Sequence, residues 1–136
     1  MTERFGFAVR VYYEDTDAAG VVYHANYLKF MERARTEWLR ALGFPLHEFE
    51  RDHGVVFAVH RCEIDFRLPA RLNDDLVVTV EDVHRGASRL VARQDIRRED
   101  AVLTSARVTL ACLDAARWRP VRMPHPLLQH FETRPR

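Results

Sequence analysis

One strand, one long amphipathic helix and then four closely spaced strands predict an α+β domain in which an antiparallel sheet covers the apolar face of the helix. Three observations carry this. Apolar residues recur every three or four positions between Tyr27 and Leu42, the texture after Gly54 turns to β-branched runs, and short turn-forming pairs part those runs. Such short connections make neighbouring strands antiparallel, in a sheet of five to six strands. With 136 residues, the chain is expected to form a single domain over 1–136, large enough to bury a core without disulfide or metal staples.

Phe5 to Tyr13 alternates and is rich in Val and aromatics, which reads as a first strand delivering Tyr13 to the turn-forming segment Glu14–Gly20. From there the helix takes Tyr27, Leu28, Met31, Ala34, Trp38, Ala41 and Leu42 as its apolar stripe, with Lys29, Glu32, Arg33, Thr36, Glu37 and Arg40 opposite. Asn26 suits its N-cap and Gly43 its stop, giving about four turns. Pro45–Asp52 suits a short second helix. Strands follow over Val55–Phe66, Leu76–His84, Ser88–Arg97 and Val102–Leu113; in the last, Val102, Thr104, Ala106, Val108, Leu110 and Cys112 share a mostly apolar face. The tail holds Pro120, Pro124, Pro126 and Pro135, with room for one helix near Leu127–Phe131. An open sheet has two edges, and pairing one with a second copy is the expected remedy.

Composition excludes several classes. The 21 basic residues against 20 acidic ones leave a net charge of +1, and neither sign forms a block, so nothing points to nucleic acid. Lys29 is the only lysine. Cys62 and Cys112 lie far apart with no CxxC and no His pair at ligand spacing, so they read as reduced thiols packed as small hydrophobes, with no metal site and no cofactor. The amino terminus Met1-Thr2-Glu3-Arg4-Phe5 carries charges where a leader needs an apolar run, and no stretch reaches the ~18 apolar residues of a membrane span. A cytoplasmic protein without membrane insertion is expected.

The chemistry is expected where the polar turn meets the helix, because Tyr13, Asp17 and His24 fall there. A helix start exposes N–H groups without intrahelical partners at the positive end of its dipole, which keeps a nearby carboxylate ionised and polarises a nearby carbonyl. Each residue also has an ordinary reading: Asp17 as a turn former, His24 as a solvated side chain, Tyr13 as a core residue with a wet hydroxyl. Their joint occurrence favours catalysis. Glu32 and Glu37 read as exposed helix carboxylates beside arginines, with Glu32 a second-rank candidate.

The run Tyr12-Tyr13-Glu14-Asp15-Thr16-Asp17-Ala18-Ala19-Gly20-Val21-Val22-Tyr23-His24-Ala25-Asn26-Tyr27, continuing through Glu32-Arg33-Ala34-Arg35-Thr36-Glu37, resembles the signature of the hotdog-fold acyl-CoA thioesterases. Together with Phe66–Asp74 it is most similar to the branch grouping 4-hydroxybenzoyl-CoA thioesterase with the Tol-Pal-associated thioesterases. The resemblance implies a hotdog fold, hydrolysis of acyl-CoA, and a homodimer or homotetramer with active sites at the subunit interface. It also implies a catalytic Asp17 accompanied by Tyr13 and His24. Ala19 departs from the further glycine many relatives carry.

On that reading the thioester carbonyl meets the backbone N–H groups near His24 and Ala25, Gly20 lets substrate approach, and Asp17 either attacks the carbonyl carbon or activates water. A thiol of pKa about 8.5 leaves readily, so neither a Ser-His-Asp triad nor a GxSxG motif is required. Arg85, Gly86 and Ser88 form a hairpin that could meet the coenzyme A phosphates, against the plainer reading of a solvated turn. Three rivals remain: a hotdog dehydratase, a non-catalytic module binding acyl-CoA or acyl-carrier protein, and a haloacid-dehalogenase-like phosphatase using Asp15, Asp17 and the Asp74-Asp75 pair. The last requires a parallel sheet, which the closely spaced strands disfavour.

Overall fold

The computed structural model describes residues 5–133; the expectations resting on Met1–Arg4 and Pro135 lie outside them. Strand β1 (Phe5–Arg10) leads through a 3-10 turn (Tyr13–Asp15) to helix α1 (Asn26–Ala41) and the short α2 (Leu46–His53). Strands β2 (Val55–Phe66), β3 (Asp75–Arg85), β4 (Arg89–Arg98) and β5 (Ala101–Asp114) follow, and helix α3 (His125–Thr133) closes the described chain. The five strands form one sheet in the order β1-β3-β4-β5-β2, antiparallel at every pairing. This bears out the α+β expectation of one long helix wrapped by an antiparallel sheet, and rules out the parallel sheet of the phosphatase rival.

Helix α1 buries Tyr27, Phe30, Met31, Ala34, Trp38 and Leu39 against the sheet's inner face, where Leu76, Val78, Val80, Leu90, Ala92, Ile96, Ala106, Val108 and Leu110 meet it. Each large side chain so buried contributes about 1.5–3 kcal/mol. The stripe read from spacing needs correction at four positions. Phe30 and Leu39 are buried, whereas Leu28 and Ala41 are exposed, because the curved sheet encloses α1 along a line rotated from the one the sequence suggested. The fully buried Gln94 donates to the Met31 carbonyl (3.0 Å) and accepts from Arg35 (2.8 Å), so it is satisfied. Of the two cysteines, Cys112 is buried, which pushes its thiol up to about 11. Cys62 is exposed on edge strand β2, against the expectation that both pack inside.

β1 stops at Arg10 instead of running to Tyr13, because the Val11 N–H turns to the Asp74 carbonyl (2.9 Å) and the Tyr12 N–H to the Asp15 carboxylate (2.9 Å). α2 ends on Gly54, whose left-handed conformation (φ 66°) turns the chain into β2. The link between β2 and β3 crosses from one side of the sheet to the other, since β2 pairs only with β5 and β3 lies beside β1. It is fastened in passing: the Tyr27 hydroxyl accepts the Ala70 N–H (3.0 Å), the Val22 N–H reaches the Ala70 carbonyl (2.9 Å), and Asp74 accepts from Arg98 (2.7 Å). α3 packs Phe131 on Trp38, ring centroids 6.1 Å apart. No helix among the described residues is long and apolar enough to cross a membrane.

Candidate active site

The segment between the 3-10 turn and α1 is a compact reversal. The Asp17 N–H donates to the Val21 carbonyl (2.8 Å), the Gly20 N–H to the Asp17 carbonyl (3.0 Å), and Thr16 bridges to Val22. Gly20 makes the reversal possible with φ 83°, and a Cβ built there would meet no atom within 4 Å. Backbone conformation, not crowding, therefore demands glycine, and the space above it is open. Within the turn Asp17 Oδ1 accepts the Ala19 N–H (2.9 Å), the ordinary job of a turn aspartate. Its Oδ2 has no hydrogen-bond partner among the described residues.

Asp17 lines an open cleft of about 510 Å³ with Tyr13, Thr16, Ala18, Gly20 and Leu72. Two of the three singled-out side chains, Tyr13 and Asp17, thus share one cavity, and Tyr13 stands 81% exposed beside it. His24 does not line that cleft. It sits in the turn before α1, its ring against Tyr23 (centroids 4.6 Å) and edge-on to Phe66 (6.4 Å), with no hydrogen bond to Asp17.

The helix start is open. The residue before α1, Ala25, has helical angles and no side chain caps the helix, so Asn26 is its first residue and not the N-cap expected. The reason is that the Asn26 amide is turned to Asp15 (3.0 Å). Neither the His24 nor the Ala25 N–H has an acceptor among the described residues, while the Tyr23 and Asn26 N–H groups are spent on the Asp15 and Tyr23 carbonyls. Two free amide donors at the positive end of a four-turn helix can polarise a carbonyl oxygen.

Arg85 is otherwise engaged. Its guanidinium contacts Asp82 (3.3 Å) and the Phe131 carbonyl and lies over the Phe131 ring at 5.6 Å, holding α3 to the sheet. Ser88 is half-buried, its carbonyl accepting the Cys112 N–H (2.8 Å), and neither residue lines the Asp17 cleft. Glu37 pairs with Arg40 (3.4 Å) as expected of a surface carboxylate; Glu32 is exposed on α1 and lines a separate cleft with Lys29 and Arg33. Sequence reasoning missed Asp15, Asn26, Tyr27 and Leu72. For Asp15 no sequence signal was available, because two aspartates of one turn read alike until burial tells them apart.

Residues 19–105 match the family model described as the thioesterase superfamily. The chain is 43% identical over 120 residues to the acyl-CoA thioesterase YbgC of Haemophilus influenzae, covering 88% of each. To the acyl-CoA thioester hydrolase YbgC of Escherichia coli it is 39% identical over 132 residues, 96% of this chain and 98% of that one. Among solved structures, a probable thioesterase from Bartonella henselae superposes with a TM-score of 0.86 at 34% identity, covering 90% of this chain and all (100%) of the other.

Proposed function

As the chain belongs to the thioesterase superfamily and is a thioester hydrolase, we propose that its substrates are acyl-CoA thioesters, cleaved to a free acid and coenzyme A at the Asp17 cleft. The observation that carries this reading is Asp17 itself, which lines the cleft with Oδ1 held by the Ala19 N–H and Oδ2 without a partner among the described residues, in the reversal that leads on to the unpaired His24 and Ala25 amides. The acyl-CoA part is supported by the names of the relatives in Haemophilus and Escherichia.

In this mechanism the thioester oxygen lies against the His24 and Ala25 N–H groups. Donors aimed before reaction stabilise the developing oxyanion, and losing one such donor typically costs ~10²–10³ in rate. Asp17 Oδ2 then either adds to the carbonyl carbon, giving an acyl anhydride that water opens, or takes a proton from the attacking water. Either way the C–S bond breaks and the thiolate leaves, protonated afterwards from solvent. Tyr13 orients the carboxylate or the water, Gly20 keeps the approach clear, and His24 acts through its backbone while its ring packs on Tyr23 and Phe66. Arg85 and Ser88 remain candidates for the coenzyme only if a second copy brings their hairpin to the cleft.

The proposed working form is a cytoplasmic homodimer or homotetramer with the cleft completed at a subunit interface, each chain acting as one domain over 1–136. Support comes from the free edge of β2, where Val59 and Phe66 are about half exposed, and from Tyr13 and Leu72, large side chains left exposed where they line the cleft. The test is a thiol-release screen over aromatic, short-chain and long-chain acyl-CoA substrates. Turnover of at least one class, abolished by Asp17→Asn, is expected; equal release by wild type and variant would remove Asp17 from the mechanism.

A further inference from the structure

We propose that Asp15 and Asn26 form a positioning pair for the hydrolysis, a buried contact that keeps the Asp17 turn and the amide-bearing start of α1 in register. This rests on the assignment of Asp17 and the His24–Ala25 amides above. Asp15 precedes Asp17 by two residues yet lies in the opposite environment, 7% exposed, and Asn26 is 9% exposed. All three of its oxygens are engaged: Oδ2 accepts the Tyr12 N–H (2.9 Å), Oδ1 the Asn26 side-chain amide (3.0 Å), and the backbone carbonyl the Tyr23 N–H (2.9 Å). Asn26 presents its side-chain NH₂ to Asp15 Oδ1 as the donor of this contact.

These bonds join the two arms of the site. Tyr12 leads into the 3-10 turn that carries Tyr13 and, beyond it, Asp17; Tyr23 and Asn26 flank the two free amides on the other side. Among the described residues no cation sits against the Asp15 carboxylate, and such a buried group is a poor source of stability, since apolar residues of similar volume commonly serve the fold as well. What apolar packing lacks is direction, because hydrogen bonds weaken steeply off axis whereas packed methyl groups slide. Direction is what hydrolysis needs here: carboxylate and oxyanion donors must bear on one carbonyl, and a misplacement of about 1 Å can cost roughly 10² in rate. The pair should therefore act on turnover more than on binding.

The experiment is steady-state kinetics on the full chain with an acyl-CoA that the wild type hydrolyses, comparing Asn26→Ala, Asp15→Asn, the exchange variant Asp15→Asn/Asn26→Asp, and Asp17→Asn. Expected for Asn26→Ala is a kcat at least ~10-fold lower with KM changed less than about threefold, in protein still folded at the assay temperature by circular dichroism. The exchange variant should regain most of the loss, because an amide at position 15 still accepts from Tyr12 while donating to a carboxylate at position 26. A kcat for Asn26→Ala within about twofold of wild type would overturn the pair, as would an exchange variant no better than the single changes. Should Asn26→Ala fail to fold, the exchange variant against Asp15→Asn decides alone. An Asp17→Asn variant of full activity would remove the assignment of Asp17, and the pair with it; an inactive Asp17→Asn beside a normal Asn26→Ala would defeat the pair only.

Discussion

Oδ1 of Asp17 closes the turn on the Ala19 N–H, while Oδ2 has no hydrogen-bond partner among the described residues. The ordinary reading of a turn aspartate and the catalytic one are therefore compatible, which residue types alone could not reveal. The division also shapes a prediction. Asp17→Asn keeps an oxygen for the Ala19 N–H but loses the negative charge, so turnover should fall by at least ~10² while the thermal midpoint stays within a few degrees. Thiol release and a thermal melt on the same preparation check both halves. His24→Ala should cost clearly less than Asp17→Asn, because the backbone N–H survives and the lost ring stands against Tyr23 and Phe66 with no hydrogen bond to Asp17. Equal losses in parallel kinetics would give the imidazole a chemical role. Asp15 was not separable from Asp17 in the sequence, since both are aspartates in a turn and burial depends on what packs over them.

Among the elements, α1 was legible from its period and its stop from Gly43, which is left-handed (φ 92°) just past the last turn, whereas its start was not. Its start differs because Asn26 spends its side chain on Asp15 rather than on the helix, a contact eleven residues apart in sequence that no capping rule anticipates. The β2–β3 link was legible as a turn-forming stretch, but its crossing of the sheet was not, because a link of that length permits adjacent or distant strands alike. Its fastening makes a pH prediction. Burial raises the Asp74 carboxyl, but the Arg71 N–H (2.8 Å) and the Arg98 guanidinium (2.7 Å) outweigh it and hold the group below the usual aspartate range. A depressed native value means the stabilisation is present above the unfolded-state pKa of about 3.9 and is lost as pH falls through the native value. Asp74→Asn should thus cost about 1–2 kcal/mol at neutral pH, with the gap to wild type closing below about pH 4. Urea unfolding of both proteins at neutral and acid pH reads this directly.

For the molecule as a whole, the described sheet leaves two edges and an apolar rim around the cleft, Tyr13 being 81% exposed. If a second copy covers them, sedimentation should find at least two chains per particle, and specific activity should fall on dilution as copies separate. A monomer of undiminished activity would place the complete site within one chain. The class of fold was readable beforehand, because a helical period and a run of alternating strands are local patterns, set by residues near one another along the chain. Strand order, the line along which α1 is enclosed, the burial of Asp15 beside the openness of Asp17, and the diversion of Arg85 to α3 were not. Each of these depends on which distant segments meet, and a side chain's surroundings, unlike its propensity, exist only once the chain has closed on itself.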